Sequence, residues 1–417
     1  MNRWRIGTVC GALILGACGV DGGTSHHEPR VDTLPDGSIV VGNSEQGVWD
    51  ADPHARWSVV ERVRIGRRED EGPELFGMVR SVLVDDLGRM WVVDAQANEL
   101  RVFDADGRFV RTVGGPGEGP SEFVRVGPAF HGPDGTIWVE DLSLVRWEVF
   151  DTAGNRVEGH RSPSMLRGGW RQWTRDGAFL VMEPHPETGE AVLGVYRKAD
   201  DGGLTSDGRF LELPAEPMAV PLITLEDGIS SWEMPVPFSP QPWGAYGPDL
   251  DFWLSDGVAE DGRYEIRQLS LESGQALLTI RRRFAPAEMP DSVRAAALES
   301  LREEAGDATA TPSLTLDIIP RHYPPFDVFH LSTDGTLWVA RTFADGRRGF
   351  DVFAWDGRYL GRPEAPARLA GMRIQSISAT DIRAIDTDEF GVDQVVRLEI
   401  RRPAGSTAGL AERPVRR

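Results

Sequence analysis

Acidic side chains recur at one position of a repeating pattern, and acids placed in this way could bind a cation. Each lies three residues after a tryptophan, or after the residue that takes its place. The six equivalent positions hold five acids and one arginine: Asp94, Asp141, Glu183, Asp256, Arg341 and Asp386. Carboxylate oxygens are preferred ligands of Ca²⁺, so five of these positions could form a cation site. The alternative is structural, because an Asp at the end of a strand often accepts hydrogen bonds from backbone N–H groups of its own loop.

Two arginines occupy matching positions at the beginning of predicted strands. They are Arg80 and Arg373, and the corresponding positions elsewhere are Gly127, Gly169, Trp243 and Asp327. A guanidinium group binds a carboxylate through paired N–H donors, and an arginine beside a tryptophan suits a carboxylate- or sugar-bearing ligand. The alternative is that the two arginines neutralise neighbouring acids.

The motifs of several common enzyme classes are absent from the sequence. There is no Gly-x-Ser-x-Gly and no His-Glu-x-x-His, and the only cysteines, Cys10 and Cys18, lie near the N-terminus. The glycine-rich stretch Gly114–Gly119 is not a phosphate-binding loop, because no Lys-Ser/Thr pair follows it. These absences leave the catalytic residues, if there are any, unassigned. We predict no cofactor, with Ca²⁺ or Zn²⁺ as the ions that the acids could hold.

The acids belong to a repeat of about 40–50 residues, which must position them. In each copy a strand leads through a tight turn into a strand rich in Trp and Val, and two further strands follow. Clear copies begin near residues 81, 129 and 331, and weaker copies begin near residues 171, 246 and 377. Six four-stranded antiparallel sheets of this kind, arranged radially, form a six-bladed β-propeller.

Two longer intervals between copies indicate insertions near residues 201–240 and 285–320. The second contains a predicted helix from Asp291 to Ala305, which has an acidic start and an alanine-rich interior and stops at Gly306. We expect this helix over one face of the disc, as a packing element or as a lid.

Ring closure follows from the strand count. The last copy, residues 376–400, supplies three strands, whereas residues 57–66 form a lone alternating strand before the first copy. Pairing these segments would remove the open sheet edge that a ring cannot leave exposed. A further strand at residues 36–42 is expected near that seam.

The repeat resembles a known family. The pattern Asp-Gly-x-x-Trp-Val-x-Asp, then Val-Phe-Asp-x-x-Gly, then the connector Gly-x-Gly-x-Gly-Pro-x-x-Phe is similar to NHL repeats. Over residues 57–403 the chain resembles the bacterial six-bladed β-propeller lipoproteins of the TolB-like superfamily. This resemblance implies the fold but no particular ligand, because one fold hosts many functions.

The N-terminus carries the pattern of an export signal. Two arginines precede the apolar run Ile6 to Ala17, which ends Leu-Gly-Ala before Cys18. This run resembles the lipobox of bacterial lipoproteins, which implies cleavage before Cys18 and acylation of its thiol. Because Gly19 follows, rather than the Asp typical of inner-membrane retention, we expect anchoring in the outer membrane, facing the periplasm or the exterior. The alternative is an ordinary signal peptide with an incidental cysteine.

These boundaries divide the chain into five parts. Residues 1–17 are the predicted signal peptide, 18–30 a flexible tether, 31–56 an N-terminal arm, 57–403 the propeller and 404–417 a disordered tail. The formal net charge of −20 argues against nucleic acid as a ligand, because nucleic acid requires a basic surface.

Two functions remain. The first is a monomeric binding module, held at the bilayer through Cys18 and presenting one face to a protein, peptide or glycan. The second is a metal-dependent hydrolase or lyase resembling gluconolactonase-type or amidating-lyase propellers.

Overall fold

The computed structural model describes residues 28–66, 72–161, 171–174, 176–199, 204–212, 221–226, 231–247, 249–306 and 314–403. Several of the predicted features lie outside these residues: the signal peptide, Cys18, nearly all of the tether, Gly169 and the C-terminal tail. The N-terminal segments in chain order are β1 (Arg30–Thr33), β2 (Ile39–Asn43), α1 (Val48–Ala51) and β3 (Ser58–Ile65).

The first three blades are four-stranded antiparallel sheets that follow one another along the chain. The first blade comprises β4 (Val79–Val84), β5 (Met90–Asp94), β6 (Glu99–Phe103) and β7 (Phe109–Val113). The second comprises β8 (Val126–His131), β9 (Ile137–Asp141), β10 (Arg146–Phe150) and β11 (Arg156–Arg161). The third comprises β12 (Arg171–Trp173), β13 (Ala178–Pro184), β14 (Ala191–Lys198) and β15 (Leu204–Glu212).

The remaining elements form three more blades and two insertions. A separate hairpin, β16 (Leu222–Glu226) and β17 (Ser231–Pro235), precedes the fourth blade. That blade comprises β18 (Trp243–Tyr246), β19 (Asp251–Ser255), β21 (Arg263–Ser270) and β22 (Ala276–Arg283), with β20 (Ala259–Glu260) beside β21. After α2 (Asp291–Ala305), the fifth blade comprises β23 (Val328–Leu331), β24 (Leu337–Thr342), β25 (Arg348–Phe353) and β26 (Tyr359–Gly361). The sixth comprises β27 (Arg373–Ile377), β28 (Asp381–Thr387), β29 (Asp393–Arg401) and the N-terminal strand β3.

The ring closes as the sequence predicts. Strand β3 pairs antiparallel with β29, and the register places Ile65 opposite Val395 and Val59 opposite Ile400. Buried apolar clusters join each blade to the next around the ring, including the sixth blade to the first through Ile385 and Val79. The prediction of a six-bladed β-propeller is therefore confirmed.

Four tryptophans of the repeat lie at these interfaces between blades. They are Trp91, Trp138, Trp253 and Trp338, each at most 5% exposed. A buried indole N–H needs an acceptor. Each of the four donates to a side chain shortly before it in sequence, at 2.8–3.1 Å. The repeat therefore encodes both the packing and the hydrogen bond of its largest side chain.

The N-terminal arm lies elsewhere than expected. We expected a strand near the closing seam, but β2 pairs in parallel with β22, the outer strand of the fourth blade, and β1 then pairs with β2. The chain crosses from there to the sixth blade through α1, whose Trp49 packs against Trp57 and the fifth blade. Local sequence indicates a strand, but not which of six exposed sheet edges it joins.

The two insertions share a small core of their own. The predicted helix is confirmed as α2, and Leu298 and Leu301 pack with Leu225 and Met234 of the hairpin. Within this cluster, Leu298, Leu301 and Ala305 are buried, whereas Val293 and Ala297 are partly buried. The buried face of α2 is therefore formed by Leu298, Leu301 and Ala305, which lie on one side of the helix at positions i, i+3 and i+7.

Candidate functional site

In each blade the end of the last strand, from which the chain leaves for the next blade, lies on the same face of the ring as the beginning of the first strand, and we call this the connector face. The first strand of each blade begins there, and the antiparallel second strand returns and ends there. The opposite face, the turn face, carries the tight turns at Gly88, Gly135, Gly177 and Gly335, which all have positive φ. The six predicted equivalent positions therefore come to the same face.

Two of the predicted acids serve the backbone. The Asp94 carboxylate is buried and accepts N–H groups from Gly77, Met78, Gln96 and Ala97 at 3.0–3.3 Å. These donors come from the connector that enters the first blade and from the loop after β5, so one carboxylate ties the two together.

Asp141 repeats this arrangement in the second blade. It accepts N–H groups from Val124, Ser143 and Leu144 at 2.9–3.1 Å. Asp94 and Asp141 therefore accept hydrogen bonds from backbone N–H groups, as the structural alternative predicts for these two positions.

The equivalent acid of the third blade has a different environment. The Glu183 side chain is nearly buried, and one of its oxygens accepts the Tyr196 hydroxyl at 2.7 Å. Its other oxygen is buried without a hydrogen-bond partner among the described residues. Burial raises the pKa of this carboxyl above its ordinary value of 4.5, which the Tyr196 hydrogen bond offsets in part.

This raised pKa predicts a pH-dependent loss of stability. The folded protein holds the Glu183 proton more tightly than the unfolded chain, so its contribution to stability is present below pH 4.5 and lost as the pH rises through the raised value. Glu183→Gln keeps an acceptor for Tyr196 without a charge. We expect the variant to be more stable than the native protein at pH 8 and to lose this advantage by pH 4. Urea denaturation at both pH values measures this, and a pH-independent difference between the two proteins would contradict it.

The remaining three equivalent positions differ from these and from one another. Asp256 is exposed and accepts the Val258 N–H at 2.9 Å. Asp386 is buried and forms ion pairs with Arg64 at 2.8 Å and with Arg368 at 3.1 Å. Repeat equivalence thus brings six residues to one face without giving them one chemical role.

Arg341 is 1% exposed and contacts buried groups. It reaches the carboxylate of Asp351 at 3.5 Å and the carbonyl of Ala285 at 3.1 Å, and its guanidinium lies 4.4 Å from the centre of the Phe284 ring. Asp351 is itself fully buried and accepts the Tyr359 hydroxyl at 2.6 Å. Arg341 is therefore part of a buried network between the fourth and fifth blades.

Arg80 and Arg373, the two arginines predicted at the beginning of strands, also differ from each other. Arg373 donates to Asp393 at 2.8 Å, and Asp393 accepts the Val79 N–H at 2.9 Å, so the pair links the sixth blade to the first. Arg80 is half-buried, and its Nε lacks a hydrogen-bond partner within the described part of the chain. Among the other matching positions, Asp327 pairs with Arg348 at 2.6 Å and Trp243 donates to the Phe329 carbonyl at 3.0 Å.

The acids and histidines of the described residues do not gather into a metal-ligand set. In the residues that the structure describes, no group of three or more His, Cys, Asp or Glu side chains is placed to hold a metal ion. The five acids of the repeat lie on one face but contact different groups: backbone N–H groups, arginines and, for Glu183, a tyrosine hydroxyl.

A cleft of about 560 Å³ opens on the connector face between the fifth and sixth blades. It forms where the loop between β24 and β25, the connector between β26 and β27, and the segment around α1 meet. We call it the connector cleft. The charged residues that line it are Arg56, Arg347, Arg348, Arg362, Asp50 and Glu364.

The walls of the connector cleft are largely apolar. Phe343 and Phe350 come from the fifth blade, and Pro363, Pro366 and Leu369 come from the connector to the sixth. Main-chain hydrogen bonds fix that connector to the closing strand, because Val59 donates to Glu364 at 2.6 Å and Glu364 donates to Trp57 at 2.9 Å. The cleft is therefore held by the same segment that closes the ring.

The predicted site residues do not include those of the connector cleft. Arg56, Phe343 and Arg362 lie outside the repeat-equivalent positions, in the arm, a loop and a connector. The signal available in the sequence is the adjacent pair Arg347 and Arg348 followed by Arg362 in an otherwise acidic chain. Only the folded ring brings them beside Arg56.

A second cavity, of about 330 Å³, lies on the turn face between the fourth and fifth blades. Its buried carboxylate, Asp251, already accepts Trp253 Nε1 at 2.8 Å and Gln268 Nε2 at 2.6 Å. Asp356 at its rim pairs with Arg358 at 2.7 Å. The connector cleft, with four guanidinium groups, is the stronger candidate for a ligand site.

Comparison with known proteins supports the fold. The model of a sequence family described as a 6-bladed beta-propeller (DUF5128) matches residues 72–128, which span the first blade and the start of the second. No curated protein sequence matches the chain. Among the described residues, no helix combines the length and the hydropathy needed to cross a bilayer.

Solved structures resemble the chain at low sequence identity. Virginiamycin B lyase from Staphylococcus aureus is 13% identical, with a TM-score of 0.41 over 82% of this chain and 99% of that one. A member of the DUF4221 family from Bacteroides vulgatus is 10% identical, with a TM-score of 0.39 over 84% and 99%. Regucalcin, a calcium-binding protein from Agrobacterium tumefaciens, is 15% identical, with a TM-score of 0.35 over 82% and 95%. The strand pairing and the sequence match together establish that the protein is a six-bladed β-propeller.

Proposed function

We propose that this protein is a ligand-binding β-propeller of the bacterial cell envelope, related to the NHL-repeat and TolB-like lipoproteins, and that it binds its ligand on the connector face. The observation that carries the proposal is the connector cleft. Its volume of about 560 Å³ lies within the range of about 300–1,000 Å³ that is usual for small-molecule sites. Binding rather than catalysis is favoured because the repeat acids at Asp94 and Asp141 already serve the backbone.

Filling the cleft tests the binding function. Ala365 lines the cleft and is exposed, so Ala365→Trp places an indole ring in the opening without removing a charge. The purified mature protein is incubated with the small molecules of an envelope extract and washed. The retained compounds are then identified by mass spectrometry after denaturation. We expect the native protein to retain compounds that Ala365→Trp does not.

The matched control places the same side chain away from the cleft. Ala153 is exposed in a turn on the turn face of the second blade, and Ala153→Trp should retain what the native protein retains. Retention of the same compounds by Ala365→Trp, or of none by the native protein, would contradict the proposal.

We further propose that lipid on Cys18 anchors the propeller. The Leu-Gly-Ala-Cys sequence supports this, and two or three acyl chains suffice for stable anchoring. Residues 18–29 span at most about 40 Å when extended, so the propeller would remain close to the bilayer. Cys18→Ser is expected to move the protein from the detergent-extracted membrane fraction to the soluble fraction. A variant that remains in the membrane fraction would contradict lipid anchoring.

A further inference from the structure

We infer that the connector cleft binds an organic anion, whose carboxylate or phosphate group contacts the arginines and whose apolar body packs on the prolines and alanines of the connector between β26 and β27. This inference rests on the proposed binding function and names the class of ligand for the same site. It is argued from the charge, the hydrogen bonding and the walls of the cleft.

The cleft is basic within an acidic protein. The whole chain has a formal net charge of −20, whereas four arginines and two acids line the cleft. The acids that pair with three of these arginines, Asp327, Asp345 and Asp351, lie outside the lining. A concave surface with an excess of one charge sign raises the local concentration of ions of the opposite sign. Anions that the rest of the surface repels are therefore attracted to this cleft.

Arg362 is the guanidinium best placed to receive an anion. It is half exposed, and its guanidinium carbon lies over the Phe343 ring, 3.6 Å from the ring centre. Its nearest carboxylate, Asp351, is 3.8 Å from its Nε, which is longer than a hydrogen bond. The stacking holds the group in one orientation, and its planar N–H donors match the geometry of a carboxylate or phosphate.

The other arginines keep donors for a ligand as well. Arg348 donates one Nη to Asp327 at 2.6 Å, and Arg56 is 3.6 Å from Asp50. A guanidinium has five N–H donors, so one carboxylate contact does not exhaust it. The buried Nε of Arg56 has no hydrogen-bond partner in the described part of the chain. Arg347 is 82% exposed at the rim, beside Asp345.

The apolar walls indicate that the ligand is more than an inorganic ion. Pro363 and Pro366 are partly buried and Ala365 and Ala367 are exposed, so these residues offer apolar surface that a small hydrated anion would leave exposed to water. Burying that surface contributes about 25 cal/mol per Å². A carboxylate or phosphate attached to an aromatic or aliphatic body satisfies both the arginines and the walls.

Isothermal titration calorimetry of the purified mature protein tests the inference with defined probes. N-benzoylglycine supplies a carboxylate on an aromatic body, phenyl phosphate supplies a phosphate on such a body, and inorganic phosphate lacks the body. The amide of N-benzoylglycine has the same shape without the charge. We expect at least one of the two aromatic anions to bind at least tenfold more tightly than the neutral amide and than inorganic phosphate. The tighter of the two identifies the charged group.

A substitution locates the binding. Arg362→Gln should weaken the aromatic anion at least tenfold and leave the affinity for the amide unchanged. Arg108→Gln is the matched control, because Arg108 is an exposed arginine on the turn face, paired with Asp106. Its effect on affinity should be less than twofold, and thermal melting should show that both variants are folded.

The outcomes separate this inference from the proposed function. If neither aromatic anion binds, if the amide binds as tightly, or if Arg362→Gln has no effect, the assignment of an anion is wrong. The proposed function still stands in those cases if Ala365→Trp abolishes the retention of compounds from the extract. If neither experiment detects binding at the cleft, both proposals are wrong.

Discussion

Replacing Asp94 by alanine is expected to lower the free energy of unfolding by about 3–5 kcal/mol. The carboxylate is fully buried, accepts four backbone N–H groups and lies 3.3 Å from Arg101. Alanine leaves those donors without an acceptor where water does not reach, and each unsatisfied group is costly. Urea denaturation of the native and variant proteins measures the difference.

The repeat offers a matched control for this prediction. Asp256 occupies the equivalent position in the fourth blade but is exposed and accepts the Val258 N–H. Asp256→Ala should change the free energy of unfolding by no more than about 0.5 kcal/mol. Asp94→Asn keeps one oxygen acceptor and should give an intermediate loss. Equal effects of the two alanine substitutions would show that burial does not distinguish these acids.

Trp57→Ala is expected to lower the free energy of unfolding by about 3–5 kcal/mol. Trp57 is 1% exposed, with its ring centre 5.2 Å from that of Trp49 and 6.3 Å from that of Trp338. The guanidinium of Arg402 lies 4.0 Å from the same ring. One side chain therefore connects the closing strand, the arm, the fifth blade and the end of the sixth.

Two substitutions serve as controls for Trp57. Trp57→Phe keeps an aromatic ring and should cost less than the alanine variant. Leu87→Ala removes a large apolar side chain that is 69% exposed, and should change stability by no more than about 0.5 kcal/mol. We also expect limited proteolysis to cut Trp57→Ala first near the closing strand. An alanine variant as stable as the native protein would show that the seam does not depend on this cluster.

The fold could be predicted from local patterns because each blade is specified locally. The turn glycines have positive φ, the repeat tryptophans are buried with satisfied indole N–H groups, and α2 has the predicted bounds. Pairing of β3 with β29 was predictable for a different reason, since a three-stranded blade and a lone strand leave one way to close the ring.

The candidate site could be predicted only in part. Counting along the repeat places six residues on the connector face, but the count contains no information about what each one contacts. Asp94 satisfies a loop, Asp386 pairs with Arg64, and Glu183 accepts a tyrosine hydroxyl. These differences arise from connectors whose sequences do not repeat.

Sequence alone was enough to determine the number of blades, the turns, the inserted helix and the strand that closes the ring, because each depends on a short pattern or on one remaining partner. Only the tertiary structure decided where the arm strand β2 pairs and where the arginines gather. Arg56 and Arg362 are more than 300 residues apart in sequence, and they meet because closure of the ring brings the N-terminal segment against the last connector.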